Sequence, residues 1–347
     1  MVISPSKPVE KPEAAPSLAL GPLTISPPLI LAPMAGVTHS ALRSLIMRFG
    51  GCGLLSTEML AARRLPSDNP AISPYLKVSP EERPLSYQLL VADPEHIPAA
   101  LERVTELGAA AVDINLGCPA PFIRRQGAGS GLAEEPELVR QVIATARAHT
   151  SLPLSAKIRL GTSLDEAALR NFCLLLEGEG LDYLTVHARL HREPFARKPR
   201  WPWLAKVKEW LTIPVIANGG IFSVSDARRC LALSGADGLM LGRVMPARPW
   251  FMAELAHELY GLGQPPQVDL ARIYGDYLEL LHDRFAPERR LGRLKEFSHY
   301  FSSNFAFGHH LASAVQSASS LAEAEARAAA FFQRWQAGDN HPPAPKP

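Results

Sequence analysis

The sequence predicts a TIM (β/α)8 barrel followed by an all-helical C-terminal domain, on three observations. Eight short apolar runs alternate with helical patterns between residues 29 and 242. Polar or glycine-rich groups close nearly every run. From about residue 262 the strand signal disappears and amphipathic helical patterns take over. Short, near-continuously apolar runs are what strands covered on both faces require, and alternation with helices is the signature of parallel α/β architecture. An open doubly wound sheet is the competing arrangement; eight strand candidates favour closure.

Taken in order, residues 1–20 are rich in Pro, Ser, Lys and Glu, and the end, HPPAPKP, is similar. Such composition buries too little apolar surface to offset the entropy of ordering, so tails at 1–20 and 339–347 are expected to be disordered. The strand candidates are LILA (29–32), GLLST (53–57), LSYQLL (85–90), AVDIN (111–115), LSAKIRL (154–160), YLTVH (183–187), PVIAN (214–218) and GLMLG (238–242). PEHIPAALERVTELG and EPELVRQVIATARAH carry acids near their starts and apolar residues at helical spacing. This assigns 21–260 to a catalytic barrel. VDLARIYGDYLELLHDRF and the Ala-rich stretch 311–335 read as helices, giving a helical domain over 261–338.

Composition bounds the function classes. The 347 residues are 47% hydrophobic and 20% charged, with a net charge of +2, so any polyanion contact has to come from local patches. Four widely spaced cysteines form no CxxC pair, which argues against structural zinc and against a disulfide scaffold; no metal site is expected. The start lacks the apolar core of a signal peptide, and no run of about 18 apolar residues is present. A monomer in a reducing cytoplasm is the expectation.

In a barrel, chemistry sits at the C-terminal ends of the strands. There the chain places Pro33-Met34-Ala35, Gln88, Asn115 with Cys118, Lys157 with Arg159, His187 with Arg189, Asn218-Gly219-Gly220 and Gly242-Arg243. The two glycine loops follow strands seven and eight, the usual phosphate position of this fold, where N–H groups approach an anion and an arginine completes the pair. Tight strand-to-helix turns are the plainer explanation of either loop alone. Lys157 lies inside an apolar strand and needs a partner: the electron-rich edge of a reduced flavin suits it, as does a structural pair with Asp113. Cys118, between Gly and Pro at a strand end, is placed to donate a proton, whereas Cys52, Cys173 and Cys230 read as core residues. His187, a candidate flavin ligand or acid, reads when taken alone as a satisfied rim histidine, and Met34 and Gln88, taken singly, are equally compatible with packing and turns. Residues 189–208 are basic with Trp201 and Trp203 interleaved, and Arg289, Arg290, Arg293 and Lys295 add a second basic stretch. A charge run is usually a solvated face, but two at one rim suit RNA.

These motifs resemble one family. LAPMAGVT (31–38), STEM (56–59), NLGCP (115–119), GAGSGL (127–132), KIRLG (157–161), VHAR (186–189), PVIANGGI (214–221) and GLMLGR (238–243) are similar to those of the tRNA-dihydrouridine synthases, in the family's order over residues 29–250. RLKEFSHYF (293–301) resembles the basic helix of that family's C-terminal domain. The resemblance implies FMN on the barrel, NADPH as reductant with NADH an alternative, and tRNA as partner. It implies hydride transfer to C6 of a flipped-out uracil and protonation of C5 by Cys118. It further implies that Pro33, Met34, Ala35, Gln88, Lys157 and His187 face the flavin ring and that Asn218, Gly219, Gly220, Gly242 and Arg243 hold its phosphate. Asn115, Arg159, Arg189, Arg293 and Lys295 would then contact the RNA. VHARLHREPFARKP and APFIRRQ depart from the common family pattern. Two rivals stand beside this reading: an FMN barrel reducing a small molecule, as dihydroorotate dehydrogenases do, and a non-catalytic RNA-binding module.

Overall fold

The computed structural model describes residues 16–337, so positions 1–15 of the tail expected at 1–20, and all of the tail expected at 339–347, lie outside the described residues. The tail reading fails at its inner end. Leu18–Leu20 (β1) and Leu23–Ile25 (β2) form an antiparallel hairpin across Gly21-Pro22. Its inward side chains explain why: Leu20 and Ile25 are buried in one cluster with Ile30, Leu54, Tyr183, Ile216 and Met240.

The next eight strands are β3 (Leu29–Leu31), β4 (Leu55–Ala61), β5 (Leu85–Leu90), β6 (Ala111–Asn115), β7 (Leu154–Arg159), β8 (Tyr183–His187), β9 (Val215–Asn218) and β10 (Gly238–Leu241). All pair in parallel, in the order β3-β10-β9-β8-β7-β6-β5-β4. A parallel bridge between Ile30 and Leu54, with Leu31 N–H donating to the Leu54 carbonyl at 2.9 Å, joins the ends into a barrel. β4 runs four residues past the expected end at 57, through a register shift between Ser56 and Met59.

Period-two alternation sorts the strand side chains. On β7, Leu154, Ala156 and Ile158 join the apolar layer beneath the outer helices, leaving Ser155, Lys157 and Arg159 for the opposite face. On β9, Val215 and Ala217 pack outward in the same way, while Ile216 belongs to the inner cluster. The interior is therefore apolar at the hairpin end and polar at the other. Asp113 there accepts from Ser155 Oγ and Gln88 Nε2 at 2.6 Å each.

The C-terminal helices Leu270–Arg284, Arg290–Phe301, His309–Gln316 and Leu321–Gln336 pack around aromatic side chains, with Tyr277 and Phe297 stacked at 3.7 Å. Asp269 caps the first helix and Ser320 the last, each accepting from a first-turn N–H. The bundle sits on the loop and helix after β3. Buried His39 meets Phe285 edge-on at 5.1 Å, and Arg48 pairs with Asp276 at 3.1 Å. No described helix is long and apolar enough to cross a membrane.

Candidate active site

A cavity of about 410 Å3 opens at the C-terminal ends of the barrel strands. Strand register places its floor. Asn115 lies beside Lys157, Arg159 beside His187, and His187 beside Asn218. Lys157 Nζ donates to Asn218 Oδ1 at 2.8 Å, and Asn218 Nδ2 donates to the Met240 carbonyl. The pairing considered with Asp113 is thus replaced by an amide; Asp113 acts on the ammonium only through its charge. Burial holds the Lys157 ammonium down to about 8, and Asp113 partly offsets this.

Cys118 lines the cavity wall. Asn115 Oδ1 accepts from the N–H groups of both Gly117 and Cys118, so the strand end itself fixes the turn that presents the thiol. Behind it the chain packs too closely for a side chain. A Cβ on Gly129, whose φ is +61°, would meet the Cys118 carbonyl oxygen at 2.8 Å. The other cysteines face elsewhere: Cys173 and Cys230 are buried, Cys52 half-buried, and burial pushes all three thiols up to about 12.

Burial first, then the charges of Lys157, Arg159, Arg189 and Arg243, hold the His187 imidazole neutral. Arg189 NH1 lies 3.0 Å from its Nε2. Arginine only donates, so Nε2 accepts and the ring proton sits on Nδ1. Arg189 also donates to the carbonyls of Arg197 and Phe195. Its guanidinium thus folds the loop after β8 while also lining the cavity wall. That loop is held further by the Arg200–Glu193 pair and by Trp201 Nε1 donating to the Gly219 carbonyl at 3.0 Å. Trp201 is buried, and Lys206 and Lys208 pair with Glu166 and Asp237. Much of the basic stretch is thus structural, leaving Arg192, Arg197 and Lys198 exposed.

Gly219 and Gly220 have φ of +101° and +77°, and added Cβ atoms would lie 2.4 Å from the His187 ring and 2.5 Å from Pro199. Both the backbone sign and the close approach demand glycine. Arg243, beside them, has no hydrogen bond or carboxylate partner among the described residues; its guanidinium lies over the rings of Phe195 at 4.2 Å and Phe222 at 5.4 Å. A glycine cradle, an uncommitted guanidinium and a floor ammonium form the donor set that a flavin mononucleotide needs. Pro33, Met34, Ala35 and Gly242 complete the same wall.

Gln88 is not on that wall. It is fully buried behind Asn115, accepting from Asn115 Nδ2 at 2.8 Å and donating to Asp113. Arg293 lines an adjoining groove of about 1010 Å3, and Lys295 lines neither cavity. From the same helix Glu296 and Tyr300 reach the main cavity instead. Counting forward three and seven positions from Arg293 would have found them, because those positions share a helix face. Phe195 and Phe222, also absent from the sequence reading, carried only the weak signal of aromatics in basic or glycine-rich loops. Among the described residues no His/Cys/Asp/Glu group is arranged to hold a metal.

A family model described as dihydrouridine synthase matches residues 30–338. A probable tRNA-dihydrouridine synthase 1 of Synechocystis is 36% identical over 240 residues, 69% of this chain and 67% of the relative. A tRNA-dihydrouridine(16) synthase of Pseudomonas putida is 33% identical over 78% of this chain and 86% of its own. The tRNA-dihydrouridine synthase B of Pseudomonas aeruginosa is likewise 33% identical, over 76% and 79%. Among solved structures, morphinone reductase superposes with a TM-score of 0.51 at 13% identity, covering 74% of this chain and 93% of that one. Histamine dehydrogenase from Rhizobium gives 0.55 at 13%, covering 69% and 47%. These two share the barrel fold.

Proposed function

The chain belongs to the dihydrouridine synthase family, and from that premise we propose that it reduces uridine in tRNA to 5,6-dihydrouridine, with Cys118 as the acid. The observation that carries the residue assignment is the single cavity where Cys118, Asn115, Lys157, Arg159 and the Gly219–Arg243 wall meet. FMN is the cofactor that suits this donor set. The chemistry it supplies when bound is hydride transfer to C6 of the uracil after reduction by a pyridine nucleotide, NADPH in our reading.

The remaining steps belong to the protein. Gly219, Gly220, Asn218 and Arg243 would hold the phosphate end of the cofactor, and the Lys157 ammonium would stand against the electron-rich edge of its ring. Hydride arrival at C6 leaves enolate-like charge on the uracil, which Arg159 and Lys157 stabilise from the floor. Cys118 Sγ then delivers its proton to C5, and Asn115 fixes the sulfur's position through the turn it caps. Taking the base out of its stack costs a few kcal/mol. Contacts along the groove beside Arg289 and Arg293 are where binding energy offsets that cost.

Mass spectrometry of tRNA, position by position, tests the reading. A deletion strain should lose dihydrouridine at one or more positions, and the purified protein with FMN and NADPH should restore it. Unchanged dihydrouridine everywhere would sink the tRNA assignment. RNA-independent turnover of a small enone or of orotate would instead favour the small-molecule reductase.

A further inference from the structure

Helix Arg290–Phe301 lays one face along both the groove and the active-site cavity. Positions three and four apart share a helix face, so Arg293, Glu296 and Tyr300 follow one another along it over about 10 Å. The two voids keep that order. Arg293 lines the groove but not the cavity, Tyr300 lines the cavity but not the groove, and Glu296 lines both. Among the described residues only Ala35, from the loop after β3, and Met59, from β4, are shared in the same way. Glu296 is therefore the one charged side chain on the threshold between groove and cavity.

A carboxylate there opposes a polyanion unless a donor meets it. The cations of its own helix do not answer it: Arg293 spends NH1 on the Arg289 carbonyl, and Glu58 is the carboxylate whose charge acts on Arg293. Glu58 also lines the groove, but it is buried and accepts from Gly36 N–H. Glu296 is exposed and open to a ligand. When a base is turned into the cavity with its backbone left in the groove, the part that crosses the threshold is the sugar. Phosphate oxygens repel a carboxylate, whereas the ribose 2′-hydroxyl donates, and an ionised carboxylate only accepts. Cation, carboxylate and phenol along the helix thus meet phosphate, ribose and base in the same sequence.

We infer that Glu296 is a specificity-determining residue: its carboxylate accepts a hydrogen bond from the 2′-hydroxyl of the target nucleotide and makes the site select ribose over deoxyribose. The inference rests on the reading that the chain acts on uridine in RNA, with the backbone in the groove. It explains why an anionic side chain stands on the path of a polyanion, since only a ribose offsets the repulsion it adds.

Two RNAs compared on each protein test it. One is an unmodified tRNA transcript. The other carries 2′-deoxyuridine at the position where the wild-type protein forms dihydrouridine, mapped by mass spectrometry. With flavin-loaded wild type and NADPH, kcat/KM for dihydrouridine formation should be about tenfold lower on the deoxy RNA, the scale of one hydrogen bond to a charged group. Glu296→Ala should bring that ratio close to one by losing activity on the ribose RNA. Glu296→Gln keeps an acceptor without the charge and should retain about a threefold preference, as a neutral hydrogen bond does. Both RNAs are read on one preparation, so losses of folding or flavin cancel from the ratio. A preference undiminished in either variant overturns the inference, as does a wild-type ratio of one. Equal gains on both RNAs would leave Glu296 acting by repulsion alone and overturn it too. If the wild type forms no dihydrouridine in the all-ribose transcript, the uridine reading itself falls, and this inference with it.

Discussion

Cys118 and Cys173 are the same residue type with opposite surroundings: one thiol lines a cavity, the other is buried and pushed up to about 12. The chemistry follows from position, so Cys118→Ala should leave flavin binding and NADPH oxidation intact. Dihydrouridine formation, followed by mass spectrometry of tRNA, should fall by about 100-fold or more, the usual worth of a positioned acid. Lys157 gives a pH signature. Burial holds it down to about 8, below the ordinary lysine value. As pH climbs through 8 the ligand-free protein loses this charge, whereas an electron-rich carbonyl edge of the ring set against the ammonium favours keeping it. Flavin affinity, read by fluorescence quenching, should therefore decline between pH 8 and 10, and Lys157→Met should be weaker but flat across that window. Stability runs the other way. Over the same window the unfolded chain holds a proton that the folded, flavin-free protein has released, so this group's contribution to stability rises with pH.

At the scale of elements, strand ends and the turns after them do the positioning. Alternation along β7 sends Lys157 and Arg159 to one face and Ile158 to the other, and parallel register brings His187 and Asn218 alongside. The turn after β9 needs glycine twice. Gly219→Ala would place a methyl 2.4 Å from His187 at a φ of +101°. It should cost more than the roughly 1 kcal/mol of an ordinary Gly→Ala change at positive φ. The expected outcome is a folded protein purified with little or no flavin, checked by absorbance near the flavin maximum and by circular dichroism.

For the molecule as a whole, the helical domain decides what the barrel mouth can receive. Helix Arg290–Phe301 sends Glu296 and Tyr300 into the active-site cavity and Arg293 into the adjoining groove. Arg289 lies on that groove, exposed. If RNA follows the groove, Arg289→Ala should weaken tRNA binding uniformly across sequences. The slope of log Kd against log salt should fall by about one, the signature of one lost phosphate contact. An unchanged slope would place the RNA backbone elsewhere.

The chain's own order of residues determined the eight barrel strands, because each is a short apolar run bounded by turn residues, and it determined the ring of polar groups at their ends. The gathering of Cys118, Lys157, His187 and the two glycine loops around one cavity was legible because strand ends of a barrel converge on one mouth. What a side chain is bonded to was not legible. Only the tertiary structure gave Lys157 to Asn218, withdrew Gln88 behind Asn115 and committed Arg189 to its own loop. The hairpin β1–β2 was missed because its short alternation sits in a Pro-rich stretch and gains meaning only where Leu20 and Ile25 are buried beneath the barrel. Periodicity tells which face a residue takes; it does not tell what waits there, since partners distant in sequence meet only when the barrel closes.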